Sequence, residues 1–201
     1  MDIKINCHSS ICVNDEIWFD PFRVTGGKAK YIFITHSHWD HFSVEDIKKI
    51  LINDTKIICP ISMKNDVEGL FENEIVYVEP ENQYKIDDLK FKTTFAYNMD
   101  KHFHQKRNGW VGYNVEINGE RVMVVGDSDN TPEINNVETD ILLVPIGGTY
   151  TMNVREAAEL TNNIKPKKVI PTHYGEIVGE KSLGKEFELL VDENIVCEIL
   201  I

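Results

Sequence analysis

Tyr31-Ile32-Phe33-Ile34-Thr35-His36-Ser37-His38-Trp39-Asp40-His41 begins as an almost continuous apolar run and ends in three histidines and an aspartate. The apolar part has the pattern of a strand buried on both faces, so a strand over Tyr31 to Thr35 delivers the chain into the polar cluster at its C-terminal end. Residues two apart in an extended segment point the same way. His36 and His38 therefore reach one cation, while Asp40 and His41 serve a neighbouring position. Imidazole with carboxylate suits zinc first, and manganese or iron are further occupants that the spacing does not separate.

Downstream, Ser43 with Asp46 makes a capping-box-like start, and Val44, Ile47, Ile50 and Leu51 recur at helical spacing. The unit is thus strand, metal-type loop, helix. Upstream, Ile3 and Ile5, Ile11 to Val13, and Ile17 to Phe19 after the turn residues Asn14-Asp15 read as a β meander. Beyond the helix, the pattern predicts strands at Lys56 to Cys59 and Ile75 to Val78, with a weak helix between Ile61 and Phe71. Leu89 to Tyr97 alternates as a strand, and Asn118-Gly119 joins Val111 to Ile117 and Arg121 to Val125 in a hairpin. Further strands over Ile141 to Val144 and Lys168 to Ile170 flank a helix that Thr151 can cap, carrying Val154, Ala157, Ala158, Leu160 and Ile164. Polar residues again stand where strands stop, at Gly126-Asp127 and at Pro171-Thr172-His173. Both halves show a meander followed by strand, loop and helix. That order favours two central sheets with helices on their outer faces over a simple doubly wound sheet.

The chain has 201 residues, 42% of them hydrophobic, the size of one domain with a sizeable core, so residues 1–201 are read as a single unit. Lys and Arg total 21 against 33 Asp and Glu, a net charge of -12 that opposes nucleic-acid binding. Cys7, Cys12, Cys59 and Cys197 are scattered, which suggests reduced thiols rather than a disulfide framework or a zinc knuckle. Met1 to Ser10 lacks the apolar core of a signal peptide, and no run approaches a membrane span. A cytoplasmic protein acting on a small-molecule substrate is the simplest expectation.

Asp20-Pro21, Thr35 to His41, Gly126-Asp127-Ser128-Asp129 and Thr172-His173-Tyr174-Gly175 together resemble the ordered motifs of the metallo-β-lactamase superfamily. The elements His8-Ser9-Ser10, Ala96-Tyr97-Asn98, Phe103-His104, Trp110 to Tyr113 and Pro145 to Tyr150 resemble, within it, the branch of ascorbate-6-phosphate lactonase and N-acylphosphatidylethanolamine phospholipase-D-like proteins. The resemblance implies an α/β fold, a four-layer αββα sandwich, and two divalent metal ions. It implies His36 and His38 on the first ion, Asp40, His41 and His173 on the second, Asp127 bridging, and Asp20 as an anchor behind the loop. Many members place the first ion's third histidine where this chain has Asn98. His104 is taken here as that ligand, ahead of His102, Asn98 and an incomplete, single-metal site. Asp40 and Asp127 are the expected catalytic carboxylates, working with a metal-bound hydroxide on a phosphodiester, ester or lactone bond.

Other residues have plainer readings. His8 either leans toward the site from the first meander or, as the preferred reading, is a strand-end histidine satisfied by backbone; Tyr150 and Tyr174 are read as wall packing, and Met152 and Trp110 as core or rim packing. Lys106 and Arg107 either meet a substrate anion or form a solvated patch, and Glu79, Glu81, Asp87 and Asp88 are solvated surface. Two competing functions stand beside the hydrolase. One is a non-catalytic, metal-stabilised binding module, motivated by Asn98. The other is a diiron redox protein, disfavoured because such members carry a glutamate where His38 stands and a flavin domain.

Overall fold

The computed structural model describes residues 1–201. Strands β1 (Ile3–Cys7), β2 (Ser10–Val13), β3 (Ile17–Phe19), β4 (Ala29–Phe33), β5 (Leu51–Pro60) and β6 (Glu74–Val78) form the first sheet in chain order. The second sheet runs β7 (Gln83–Ile86), β8 (Leu89–Phe95), β9 (Val111–Ile117), β10 (Glu120–Val124), β11 (Ile141–Pro145), β12 (Lys168–Thr172) and β13 (Val196–Cys197), again with sequence neighbours paired. Each sheet begins antiparallel and turns parallel, from β3 onward in the first and from β10 onward in the second. The doubled order read from the sequence is therefore real.

The strands alternate between two cores because successive side chains leave opposite faces of a sheet. Tyr31 and Phe33 of β4 meet Val111, Tyr113, Val115 and Leu143 between the sheets. Ile32 and Ile34 point outward, with Ile57, against Ile47 and Ile50 of α1 (Val44–Ile50), Val67 of α2 (Lys64–Val67) and Met63 just before α2. Likewise Leu142 and Val144 of β11 pack outward under α3 (Pro132–Asn135), α4 (Val154–Ile164) and α5 (Ser182–Glu188), whose Ile134, Leu160 and Phe187 close the third core. The molecule is a four-layer αββα sandwich, as expected.

Local chemistry fixes several boundaries. Asn118 and Gly119 both lie at positive φ, 52° and 81°, which makes the tight two-residue hairpin turn between β9 and β10. Ser43 caps α1 by accepting from the Asp46 N–H at 3.3 Å. The α4 cap is Asn153 rather than Thr151: its Oδ1 accepts from Arg155 and Glu156 N–H, and the Glu156 carboxylate accepts in return from the Asn153 N–H. The expected helix over 61–71 shrinks to a 3₁₀ turn, Ile61–Met63, and α2, and Leu51 opens β5 instead of extending α1. The sequence reading passed over β7, α3, α5 and β13. Asp87, expected to be plain surface, accepts from the Tyr31 hydroxyl and pairs with Lys56. None of the four cysteines is disulfide-bonded, and no helix is long and apolar enough to cross a membrane.

Candidate metal centre

Parallel strands carry their carboxyl ends to one edge of the sandwich, and that edge collects the polar residues. β3 leads into Asp20, β4 into His36, β8 into Asn98, β10 into Asp127 and β12 into His173. After β4 the Ile34 N–H makes one more bond to β5, at the Ile58 carbonyl, and the groups beyond it bond elsewhere. The Thr35 N–H donates to Asp20 Oδ1 at 2.7 Å, and the Thr35 carbonyl accepts from Val111 N–H across the sheets at 3.2 Å. The Tyr113 hydroxyl donates to the Ile34 carbonyl at 2.7 Å, a second strut between the layers. Gly147 is required here, since a Cβ would lie 2.3 Å from the His173 carbonyl oxygen.

Asp20 is fully buried and organises the loop from beneath. Its Oδ2 accepts from the Thr35 hydroxyl at 2.6 Å and from His41 Nδ1 at 2.8 Å. His36 Nδ1 lies 2.9 Å from that hydroxyl, so a chain of bonds runs from His36 through Thr35 to Asp20. With their Nδ1 protons committed, His36 and His41 turn their Nε2 atoms toward the cavity, the arrangement in which partners behind an imidazole fix its orientation. Asn98 does the same for His104, whose backbone N–H and Nδ1 both lie 3.0 Å from the Asn98 Oδ1. The Asn98 amide group is spent on Asp129 and the Tyr150 carbonyl. His102 is exposed. Of the three alternatives for the missing donor, geometry brings His104 to the cluster, holds Asn98 behind it, and leaves His102 outside.

The donors fall into groups whose ligating atoms lie within 4.8 Å of one another: His36, His38 and His104; His36, His41 and Asp127; and His8, Asp40, His41 and His173. His36 Nε2 and His38 Nδ1 are 3.1 Å apart. Asp127 sits between the groups, with Oδ2 3.2 Å from His104 Nε2, 3.0 Å from His173 Nε2 and 3.9 Å from His36 Nε2, and with Oδ1 3.3 Å from His41 Nε2. Yet His41 Nε2, His104 Nε2, both His173 ring nitrogens and Asp127 Oδ1 are buried without a hydrogen-bond partner in the protein. An unsatisfied buried polar atom costs about 1–3 kcal/mol. So many in one place, converging on a carboxylate, fit divalent cations, which would satisfy them together.

The electrostatics agree. Burial pushes His36 well below the usual imidazole range, and His38 also down, which keeps both neutral and able to donate a lone pair. Burial opposes charge on His41, but the carboxylates of Asp127 and Asp20 outweigh it and raise it to about 9. Burial would lift Asp127, yet His173 and His41 draw it well below the carboxylate range. The field that would hold a proton at His41 is one that attracts a cation.

Among the residues with plainer readings, Tyr174 and Met152 are fully buried in the third core, and Tyr150 is part-exposed against Phe103. Trp110 is rim packing of a specific kind, its indole against the imidazoles of His36, His38 and His104 at 4.9, 4.8 and 5.6 Å. Lys106 pairs with Glu133 over the Phe95 and Tyr97 rings, and Arg107 is exposed. His8 departs from its preferred reading. It is fully buried beside His173, ring centroids 3.8 Å apart, and neither ring nitrogen has a hydrogen-bond partner. Burial lowers it to about 4. The one signal in the sequence was the His8-Ser9-Ser10 element.

Comparison with known proteins agrees with this architecture. Residues 6–173 match the family model described as the β-lactamase superfamily domain. A UPF0173 protein of Pyrococcus abyssi is 31% identical over 166 residues, 81% of this chain and 74% of that protein. A UPF0173 metal-dependent hydrolase of Staphylothermus marinus is 30% identical over 187 residues, 87% of this chain and 75% of the relative. The crystal structure of a protein from Parabacteroides distasonis, named as a metal-dependent hydrolase, superposes with a TM-score of 0.83 at 27% identity, covering 98% of this chain and 91% of that one. On the match over 6–173 and these relatives, the chain belongs to the β-lactamase superfamily, within its UPF0173 family of metal-dependent hydrolases.

Proposed function

We propose that this single-domain chain is a two-metal hydrolase that cleaves a phosphodiester, ester or lactone bond in a small substrate. The observation that supports it is the convergence of two donor groups on one buried carboxylate, Asp127, with unpartnered imidazole nitrogens on either side. In this reading His36, His38 and His104 hold one cation, Asp40, His41 and His173 hold the other, and Asp127 serves both. Zinc suits the donor set best, with manganese or ferrous iron as further occupants. When bound, the pair would acidify an attacking water and polarise the oxygen of the bond under attack.

The chain's own residues supply the rest. Asp20 and Asn98 lock the imidazoles so that their lone pairs stay aimed inward as substrate arrives. Asp40 keeps a partly exposed carboxylate at the edge of the buried cluster, where it orients the water and accepts its proton. The Trp110 indole covers the imidazoles of the first group and limits water there. The resemblance to lactonases and phospholipase-D-like proteins favours a lactone or phosphodiester among the candidate bonds.

The test is a panel of bis(p-nitrophenyl) phosphate, p-nitrophenyl esters and a phosphorylated lactone, run with wild type and His38→Ala. Hydrolysis of at least one substrate, lost on chelation and in the variant, is expected. Activity that survives His38→Ala unchanged overturns the proposal.

A further inference from the structure

The β1–β2 turn does something a surface turn does not need to do. His8 adopts a left-handed backbone, φ 57°, a conformation that a non-glycine residue takes only under constraint from its surroundings. His173, across the sandwich, has the same φ of 57°, and its N–H donates to the His8 carbonyl at 3.1 Å. The strained backbone thus ties β2's entry to β12's exit and carries the His8 ring to the donors of the second sheet. There the imidazole is fully buried, tilted against the His173 ring with centroids 3.8 Å apart, and 5.9 Å from the His41 ring. Its Nε2 is 3.3 Å from Asp40 Oδ2 and yet is not aligned as a hydrogen-bond donor. Two donors each about 2.0–2.1 Å from one tetrahedral cation lie about 3.3–3.4 Å apart, so the separation fits shared ligation.

We propose that His8 is a metal ligand, completing a four-donor set of His8, Asp40, His41 and His173 around the second cation. The inference rests on the two-metal reading above and extends it. Counting Asp127, which serves both ions, the second cation would have five protein donors and the first four, and the more donors the protein supplies the less room an ion keeps for substrate or water. The two halves of the centre then differ in task. The His8 half is the more completely filled by the protein, and the His36–His38–His104 half, one donor short of it, keeps the place at which substrate oxygen enters.

The test titrates metal-free protein with Co²⁺ against a competing chelator, using wild type, His8→Asn and His8→Gly; both replacements tolerate the left-handed backbone. Wild type should bind two ions, and each variant should lose at least about tenfold in affinity for one of them, with a changed visible spectrum, while the other ion is unaffected. Folding is checked by circular dichroism. Independently of whether the variants fold, the anomalous map of a Zn²⁺-soaked wild-type crystal should place a cation about 2.0–2.2 Å from His8 Nε2. Two cations with His8 Nε2 beyond bonding distance overturn the role of His8 alone. No cation in either group overturns it together with the two-metal reading.

Discussion

The His36–His38–His104 group and the His8–Asp40–His41–His173 group share a wall at Asp127, but they are built differently. The first has imidazoles alone, held from behind by a hydroxyl and an amide, Thr35 and Asn98, and covered by the Trp110 indole. Its His38 is partly exposed. The second contains a carboxylate, is buried at three of its four residues, and is backed by the charge of Asp20. A negative ligand, and an anchor that is itself negative, favour a cation more than neutral ligands do. The second group should therefore bind its ion tightly and exchange it slowly, and the first should bind more weakly and stay open to substrate.

The comparison breaks most completely at the shared wall. Asp127→Asn removes a charge on which both groups depend, and losing one partner of a buried ionic set costs about 3–5 kcal/mol. Cation affinity should fall by about 10²–10⁴-fold in both halves, measured by chelator competition. A loss confined to one half would show that Asp127 is not shared. Chelation comes next. Saturating cation at about 100–1,000 times Kd stabilises a fold by about 2.7–4.1 kcal/mol, so stripping it should lower Tm by roughly 10 °C in calorimetry for a chain of this size. An unchanged Tm would deny that the cations belong to the folded state.

Two smaller substitutions separate the halves. Asp20→Asn should weaken the ion beside His41, and Asn98→Ala the ion beside His104, each by about 10–100-fold. Equal effects of either variant on both cobalt spectra would mean that the groups are not independent. Smallest of all, His102→Ala should leave metal content and activity alone and shift stability by no more than about 0.5 kcal/mol. A lost ion in that variant would reverse the choice of His104.

The contrast also explains what could be read from the sequence. The His36 to His41 loop was legible because its donors are contiguous and follow a strand whose apolar run is unmistakable. Asp127 and His173 stood out as polar residues at the ends of buried strands, and β4, β9, β10, α1 and α4 followed from periodicity and turn chemistry. His104 was preferred on the Phe103-His104 element, but the part played by Asn98 was hidden, because it occupies a ligand-like place while its side chain serves that histidine instead. For His8 the site-facing reading was the less favoured of two, for a related reason. Its partner His173 is far along the chain, and the left-handed backbone that aims it inward leaves no mark in hydrophobic pattern. The α4 cap shifted from Thr151 to Asn153 because both residues cap well, and only Asn153 has Glu156 three positions on to complete the box. Strand β7 and helix α5 carry too few periodic apolar residues to declare themselves.

The most direct measurement is the hydrolytic rate of metal-free protein followed as Zn²⁺ or Mn²⁺ is added, with bound metal counted at every point. The account predicts no activity without metal, little at one equivalent, where the tighter His41 side fills first, and a rise to a plateau at two equivalents per chain. A plateau reached at one equivalent, or turnover by the metal-free chain, would contradict it.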